Sequence, residues 1–76
     1  MLTIYRVTHR HYYGTRRAHE CSDHTVNYFD SMEKARQCVK DFLGDEATVD
    51  NSFGFDIWVS KHLPQTEYII DCIRVY

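Results

Sequence analysis

The stretch DSMEKARQCVKDFLG, Asp30 to Gly44, decides the fold of this chain. Its apolar residues recur every three or four positions, which is the spacing of one face of an α-helix. These residues are Met32, Ala35, Cys38, Val39, Phe42 and Leu43. Asp30, followed three residues later by Glu33, predicts a capping box at the start of the helix, and Gly44 predicts its end. Such an amphipathic helix needs another layer to cover its apolar face.

Strand-like segments flank the helix on both sides. LTIYRVTHRHYY, from Leu2, and HTVNYF, ending at Phe29, are rich in β-branched and aromatic residues. After the acidic stretch DEATVDNS, which we interpret as a loop, FGFDIWVSKH alternates and TEYIIDCIRVY continues to the last residue. The chain therefore predicts a single α+β domain over residues 1–76, with ββαββ order. Its sheet is mostly antiparallel, and the amphipathic helix packs on one face of it.

A hairpin is expected near the first strand because Gly14 can adopt a positive φ at little cost. Tyr12 and Tyr13 would form a type I turn, so that His11 lies opposite Thr15. The same register pairs His9 with Arg17, Val7 with His19 and Tyr5 with Cys21.

Length and cysteine content restrict the class of protein. A chain of 76 residues buries a modest core, and its three cysteines, Cys21, Cys38 and Cys72, form no closed disulfide set. We therefore expect free thiols in a reducing compartment. No apolar run approaches the roughly 18 residues of a membrane span, and no signal peptide is evident. The expected protein is soluble and cytoplasmic, and it requires no cofactor.

The charge is unevenly distributed and points to a macromolecular partner. Residues 1–19 hold four arginines and no acid, while the net charge of the whole chain is -2. Tyr, Trp and Arg dominate the energetic centres of protein interfaces. The predicted contact residues are Arg10, Tyr12, Tyr13, Arg16, Arg17, Trp58 and Tyr76. With one helix for one face, the second face of the sheet is open. We expect Tyr5, Trp58, Tyr68, Tyr76 or their neighbours to line part of it, and we expect it to be a binding surface or a dimer interface.

A metal site and an enzyme are both disfavoured by the spacing. The candidate zinc ligands are His9, His11, His19, Cys21 and His24, but no paired short spacing of metal ligands occurs, and His24 has the wrong parity for the predicted hairpin. Cys21, Asp23 and His24 have the side chains of a nucleophilic site, yet adjacent strand residues point to opposite faces. No phosphate-binding loop or nucleophile elbow is present. We therefore predict a chain that is not an enzyme; a zinc-stapled domain remains a third hypothesis.

Nucleic-acid binding is the alternative function. Arg6, Arg10, Arg16 and Arg17 flank Tyr12 and Tyr13, a composition that suits phosphate contact and base stacking. Strand order bears on this alternative. If the first and last strands are neighbours, Arg6 and Arg10 lie near Asp71 and Glu67, and part of the basic patch is neutralised within the chain.

In overall build the chain resembles small phage-encoded accessory proteins. The resemblance lies in the strand that opens at Met1, the strand-to-helix junction YFDSMEKARQCV and the strand that closes the chain. It implies a non-enzymatic protein–protein interaction module, which inhibits a host or defence protein in an anti-restriction or anti-CRISPR role. It also implies a location in the cytoplasm of the bacterial host.

Overall fold

The structure, a computed structural model, describes residues 2–13, 21–63 and 65–75. Two strands, β1 (Leu2–Tyr12) and β2 (Cys21–Phe29), precede the helix α1 (Met32–Leu43). Three strands follow it: β3 (Ala47–Asp50), β4 (Asp56–Ser60) and β5 (Thr66–Val75). The predicted α+β class, with one helix on one antiparallel sheet, is confirmed.

The sheet has five strands in the order β2-β1-β5-β4-β3, one strand more than predicted. The additional strand is β3, in the stretch that we interpreted as an acidic loop. That interpretation was wrong because β3 is short and largely exposed, so its sequence lacks an apolar pattern. Its pairing with β4, from Ala47 opposite Ser60 to Asp50 opposite Ile57, makes it a strand.

The helix begins one residue later than predicted. Ser31, with extended backbone, is the N-cap, and its Oγ accepts a hydrogen bond from the Lys34 N–H at 3.2 Å. Asp30 instead forms an exposed ion pair with Lys34, so the predicted capping box with Glu33 is wrong. Gly44 ends the helix as expected: its φ of 76° suits glycine, and its N–H donates to the Lys40 carbonyl.

The hydrophobic core lies between α1 and the three central strands. Its buried members are Val7, Ala35, Val39, Leu43, Trp58 and Ile70. Ala35, Val39 and Leu43 belong to the predicted helical stripe, and Met32 packs against the same cluster. Phe42 of that stripe is 54% exposed, because it stands at the margin of the helix.

The pairing of β1 with β2 differs from the predicted hairpin. Tyr12 lies opposite Cys21 and Tyr5 lies opposite Phe29, so Tyr12 belongs to the strand and not to a turn. The local turn signal at Gly14, which lies outside the described residues, therefore misled the prediction. The pairing also skips Val26, which makes a bulge in β2 between Thr25 and Asn27.

The two faces of the sheet carry different side chains from those expected. Trp58 is 5% exposed and belongs to the core, and Tyr5 and Tyr68 pack against that core on the helix side. The prediction that these three rings line the second face was therefore wrong. The face parity of β4 is set by Asp56, whose carboxylate accepts hydrogen bonds from Arg36 of α1 and from the Trp58 Nε1–H. Tyr76 lies outside the described residues.

Candidate protein-interaction surface

Five rings form a continuous line on the helix side of the sheet, and we call them the aromatic row: Phe42, Tyr68, His9, His11 and Tyr13. Phe42 of α1 stacks on Tyr68 of β5 with the ring planes 4° apart and the centroids 5.5 Å apart. The His9 ring is 5.0 Å from Tyr68 and 6.5 Å from His11. The Tyr13 ring meets His11 edge to face at 5.3 Å. The row thus joins the helix to the far end of β1.

The geometry of β1 and β5 explains why the rings of the aromatic row lie on one side of the sheet. His9 and His11 share the side of β1 that holds the buried Val7, because alternate strand residues point to the same face. Tyr68 lies directly opposite His9 in the β1–β5 pairing, and α1 contributes only Phe42. The row ends are open, since Phe42 and Tyr13 are each 54% exposed. Between them the three other rings are half-buried.

A third histidine stands beside the row. His24 of β2 lies opposite His9, a position for which the prediction required a bulge; β2 has a bulge at Val26, which shifts the parity of the residues before it. Burial, followed by the neighbouring His11 and His24, lowers the pKa of His9 below its ordinary value of 6.5. Burial likewise raises the pKa of the Tyr68 hydroxyl. Both shifts favour the uncharged forms of His9 and Tyr68.

This lowered pKa predicts a loss of stability in acid that depends on His9. An unfolded chain binds a proton at His9 more readily than the folded chain, so the free energy of unfolding falls as the pH drops below 6.5. Denaturant titrations from about pH 8 to about pH 5 should show a weaker pH dependence for His9→Gln than for the wild type. His62→Gln, which removes an imidazole from an exposed turn, is the control. Equal pH dependence in wild type and His9→Gln would contradict the prediction.

The residues proposed as metal ligands and as a nucleophilic site do not form either kind of site among the described residues. Within residues 2–13, 21–63 and 65–75, no group of three His, Cys, Asp or Glu side chains is arranged to hold a metal ion. His19, one of the candidate ligands, lies outside those ranges. Asp23 faces Arg10 while His24 faces His9, and Cys21 lies opposite Tyr12. The side chains suggested for a thiol nucleophile and its base are thus divided between the two faces of the sheet.

The described arginines of β1 occupy the opposite side of the sheet from the aromatic row. Arg10 donates two hydrogen bonds to the Asp23 carboxylate, at 2.8 and 3.0 Å, which lower the pKa of Asp23. Arg6 holds Asp71 in the same two-bond manner. Because β1 and β5 are neighbours, Arg6 lies opposite Asp71 and Arg10 opposite Glu67. The neutralisation within the chain that neighbouring strands would cause is therefore present.

The predicted contact residues fall into different places. Tyr13 is a member of the aromatic row, whereas Tyr12 lies beside Arg10 on the other face. Trp58 is buried and offers no surface to a partner. Arg16, Arg17 and Tyr76 lie outside the described residues.

Four members of the row were not among the predicted contacts: Phe42, Tyr68, His9 and His11. Phe42 looked like an ordinary core residue of the helical stripe, and the histidines were considered only as metal ligands. The alternation of His9, His11 and Tyr13 at every second position was the signal that could have identified a shared strand face.

Comparisons with protein-family models, curated proteins and solved structures find no match for this chain. The resemblance to phage accessory proteins concerns overall build and assigns no role to any single residue. In the part of the chain that the structure describes, no helix has both the length and the apolar character needed to cross a membrane.

Proposed function

We propose that this chain is a non-enzymatic protein–protein interaction module whose contact surface is the aromatic row. The observation that carries the proposal is the continuous contact of five rings with both end rings half exposed. Aromatic side chains supply large contact area at low cost in side-chain entropy, and they are enriched at interface centres.

The preorganisation of the row supports this function. Each ring contacts a neighbouring ring, and His9, His11 and Tyr68 belong to strands of the sheet, so little conformational freedom is lost when a partner binds. The half-buried Tyr68 and His9 already contact other rings on the protein side. A partner that covers Phe42 and Tyr13 would complete their burial and exclude water from the row.

Nucleic-acid binding by the N-terminal hairpin is the weaker candidate. Arg6 and Arg10 each donate through Nε and Nη2 to a carboxylate, so a phosphate would have to compete with Asp71 and Asp23 for these donors. Both arginines also face away from the aromatic row. The net charge of -2 further disfavours a polyanionic partner.

The resemblance to small phage-encoded accessory proteins favours a host or defence protein as the partner. Under this proposal the chain acts in the bacterial cytoplasm and blocks a surface of its target, as anti-restriction and anti-CRISPR inhibitors do. The site requires no cofactor for that role.

The test combines capture with matched phenylalanine variants. Tagged wild-type protein is used to capture partners from a bacterial lysate, with and without nuclease, and the affinity of any retained protein is then measured. We expect a stoichiometric protein to survive nuclease, and Phe42→Ser to weaken its binding by about 30-fold, as for an interface hot spot. Phe53→Ser removes a 67% exposed ring outside the row and is the control.

Two results would overturn the proposal. Loss of all captured material on nuclease treatment would favour the nucleic-acid alternative. A retained protein whose affinity falls with Phe53→Ser and not with Phe42→Ser would place the contact surface away from the aromatic row.

A further inference from the structure

The face of the sheet opposite α1, here called the open face, has no covering layer among the described residues. It carries apolar side chains from three adjacent strands: Ile4, Ile57, Val59, Ile69 and Ile73. Ile57 pairs with Ile69 and Ile4 pairs with Ile73, so these side chains form contiguous patches. All five are half-buried, and Phe55 beside them is 37% exposed. An apolar surface of this extent marks an interaction site.

Charges on the open face are self-complementary. β1 contributes Arg6 and Arg10, and the neighbouring β5 contributes Glu67 and Asp71 at the paired positions. A two-fold axis that runs between these strands, parallel to them, would place β1 of one copy over β5 of the other. Arg6 and Asp71 already pair within each chain, so this axis would lay their ion pair over the reversed pair of the other copy. Each charge would then face an opposite charge without losing its own partner, as a two-fold interface allows. A partner with one predominant sign of charge would leave half of these groups opposed by like charge.

The size of the open face also fits a second copy of the chain. The five strands together hold 39 residues. At about 3.3 Å per residue and about 4.8 Å between strands they make a face of roughly 620 Å². This area lies at the lower end of the range, about 600 to 1,000 Å², that each partner contributes to a standard stable interface. Two such faces would pack like the layers of a sandwich, about 10 Å apart.

The open face has a cleft where β2, β1 and β5 lie side by side. The cleft has a volume of about 380 Å³, and Arg6 with Asp71 and Arg10 with Asp23 stand along it. Ile69 lines the cleft between these ion pairs, and Phe55 lines it as well. Thr8 and Thr25 also line the cleft, so most of its lining residues are polar or charged, and most apolar side chains of the open face lie beside it on β4 and β5.

We propose that the open face is a homodimer interface, in which two copies of the chain pack sheet against sheet. The interface is independent of the aromatic row, which lies on the other side of the sheet and stays accessible in the dimer. Each dimer would therefore present two aromatic rows, one on each outer surface.

Sedimentation equilibrium of the purified full chain over a wide range of concentrations tests this proposal. We expect the wild type to approach twice the 9.1 kDa chain mass as concentration rises. Ile69→Lys should weaken association by at least about 100-fold, because it buries an unpaired charge at the centre of the interface. Val49→Lys changes a 45% exposed β-branched residue that lies opposite Trp58 on the helix side, and it should leave association unchanged.

Radical footprinting of the wild-type chain provides a measurement that requires no variant. Oxidation of Phe55, on the open face, should fall as concentration rises, while that of Phe42, on the helix side, should stay constant. Monomeric mass up to millimolar concentration would overturn the proposal. So would a dimer that persists in Ile69→Lys, or one that protects Phe42 and leaves Phe55 accessible.

Discussion

Replacing Arg36 with methionine should lower the free energy of unfolding by about 3 kcal/mol. The Asp56 carboxylate is 2% exposed and accepts hydrogen bonds from Arg36 Nε at 2.7 Å and from its Nη2 at 3.3 Å. Methionine keeps most of the aliphatic stem of arginine but leaves a buried charge with the Trp58 indole as its remaining described donor. In a domain of this size the melting temperature should fall by more than about 10 °C.

The double variant Arg36→Met/Asp56→Asn separates the lost ion pair from lost packing. Asparagine removes the buried charge and retains an oxygen that can accept from the Trp58 Nε1–H. We expect the double variant to recover about 2 kcal/mol relative to Arg36→Met, measured by denaturant unfolding. If Arg36→Met costs less than about 1 kcal/mol, the pair behaves as a surface ion pair and does not hold α1 to β4.

Truncation of Ile70 to alanine should also lower the free energy of unfolding by about 3 kcal/mol. Ile70 is fully buried in the core and lies opposite Val7 in the β1–β5 pairing. The change leaves a cavity between α1 and the sheet, where the small core offers few side chains to fill it. Chemical denaturation at several protein concentrations should show the same loss at each.

Ile69→Ala is the matched control, since it removes the same atoms from the next residue on the opposite face. Below the concentration at which the chain dimerises, truncating the half-buried Ile69 should lower the free energy of unfolding by about 1 kcal/mol or less. At higher concentrations this loss of stability should grow, because the open face is then covered. Equal losses for the two variants at low concentration would show that both faces of β5 are packed within one chain.

Much of the fold follows from local sequence. The period of Ala35, Val39 and Leu43 identified the helix and its buried stripe. The β-branched and aromatic composition of β1 and the alternation in β4 identified those strands. These patterns succeed because each element has one buried face, and its side-chain spacing records that burial.

The pairing of the strands could not be predicted from local sequence patterns. Gly14 favours a short turn between β1 and β2. The two strands instead pair Tyr5 with Phe29 and Arg10 with Asp23, and the turn preferences of single residues do not predict these pairs. β3 is a strand only through its partner β4. Trp58 looked like an interface residue, but its neighbour Asp56 and the Arg36 guanidinium turn that side of β4 towards the helix.

The aromatic row was predictable in part. Tyr13 was among the expected contacts, and the spacing of His9 and His11 fixed their common face. The remaining rings required knowledge of strand order, because Tyr68 reaches His9 only when β5 lies beside β1. Phe42 joins the row through the packing angle of the helix, which sequence periodicity does not determine.

The bulge at Val26 has a consequence for how this chain behaves at high expression levels. β2 is a nine-residue edge strand without lysine or proline, the residues that commonly prevent edges from recruiting further strands. The skipped residue breaks its pairing pattern, and the Asn27 side chain accepts a hydrogen bond from the neighbouring Tyr28 N–H at 2.8 Å. The β2 edge therefore lacks a long, regular row of backbone groups to which the strand of another molecule could pair. The bulge thus protects the β2 edge against open-ended polymerisation, while the open face would still be available for closed assembly.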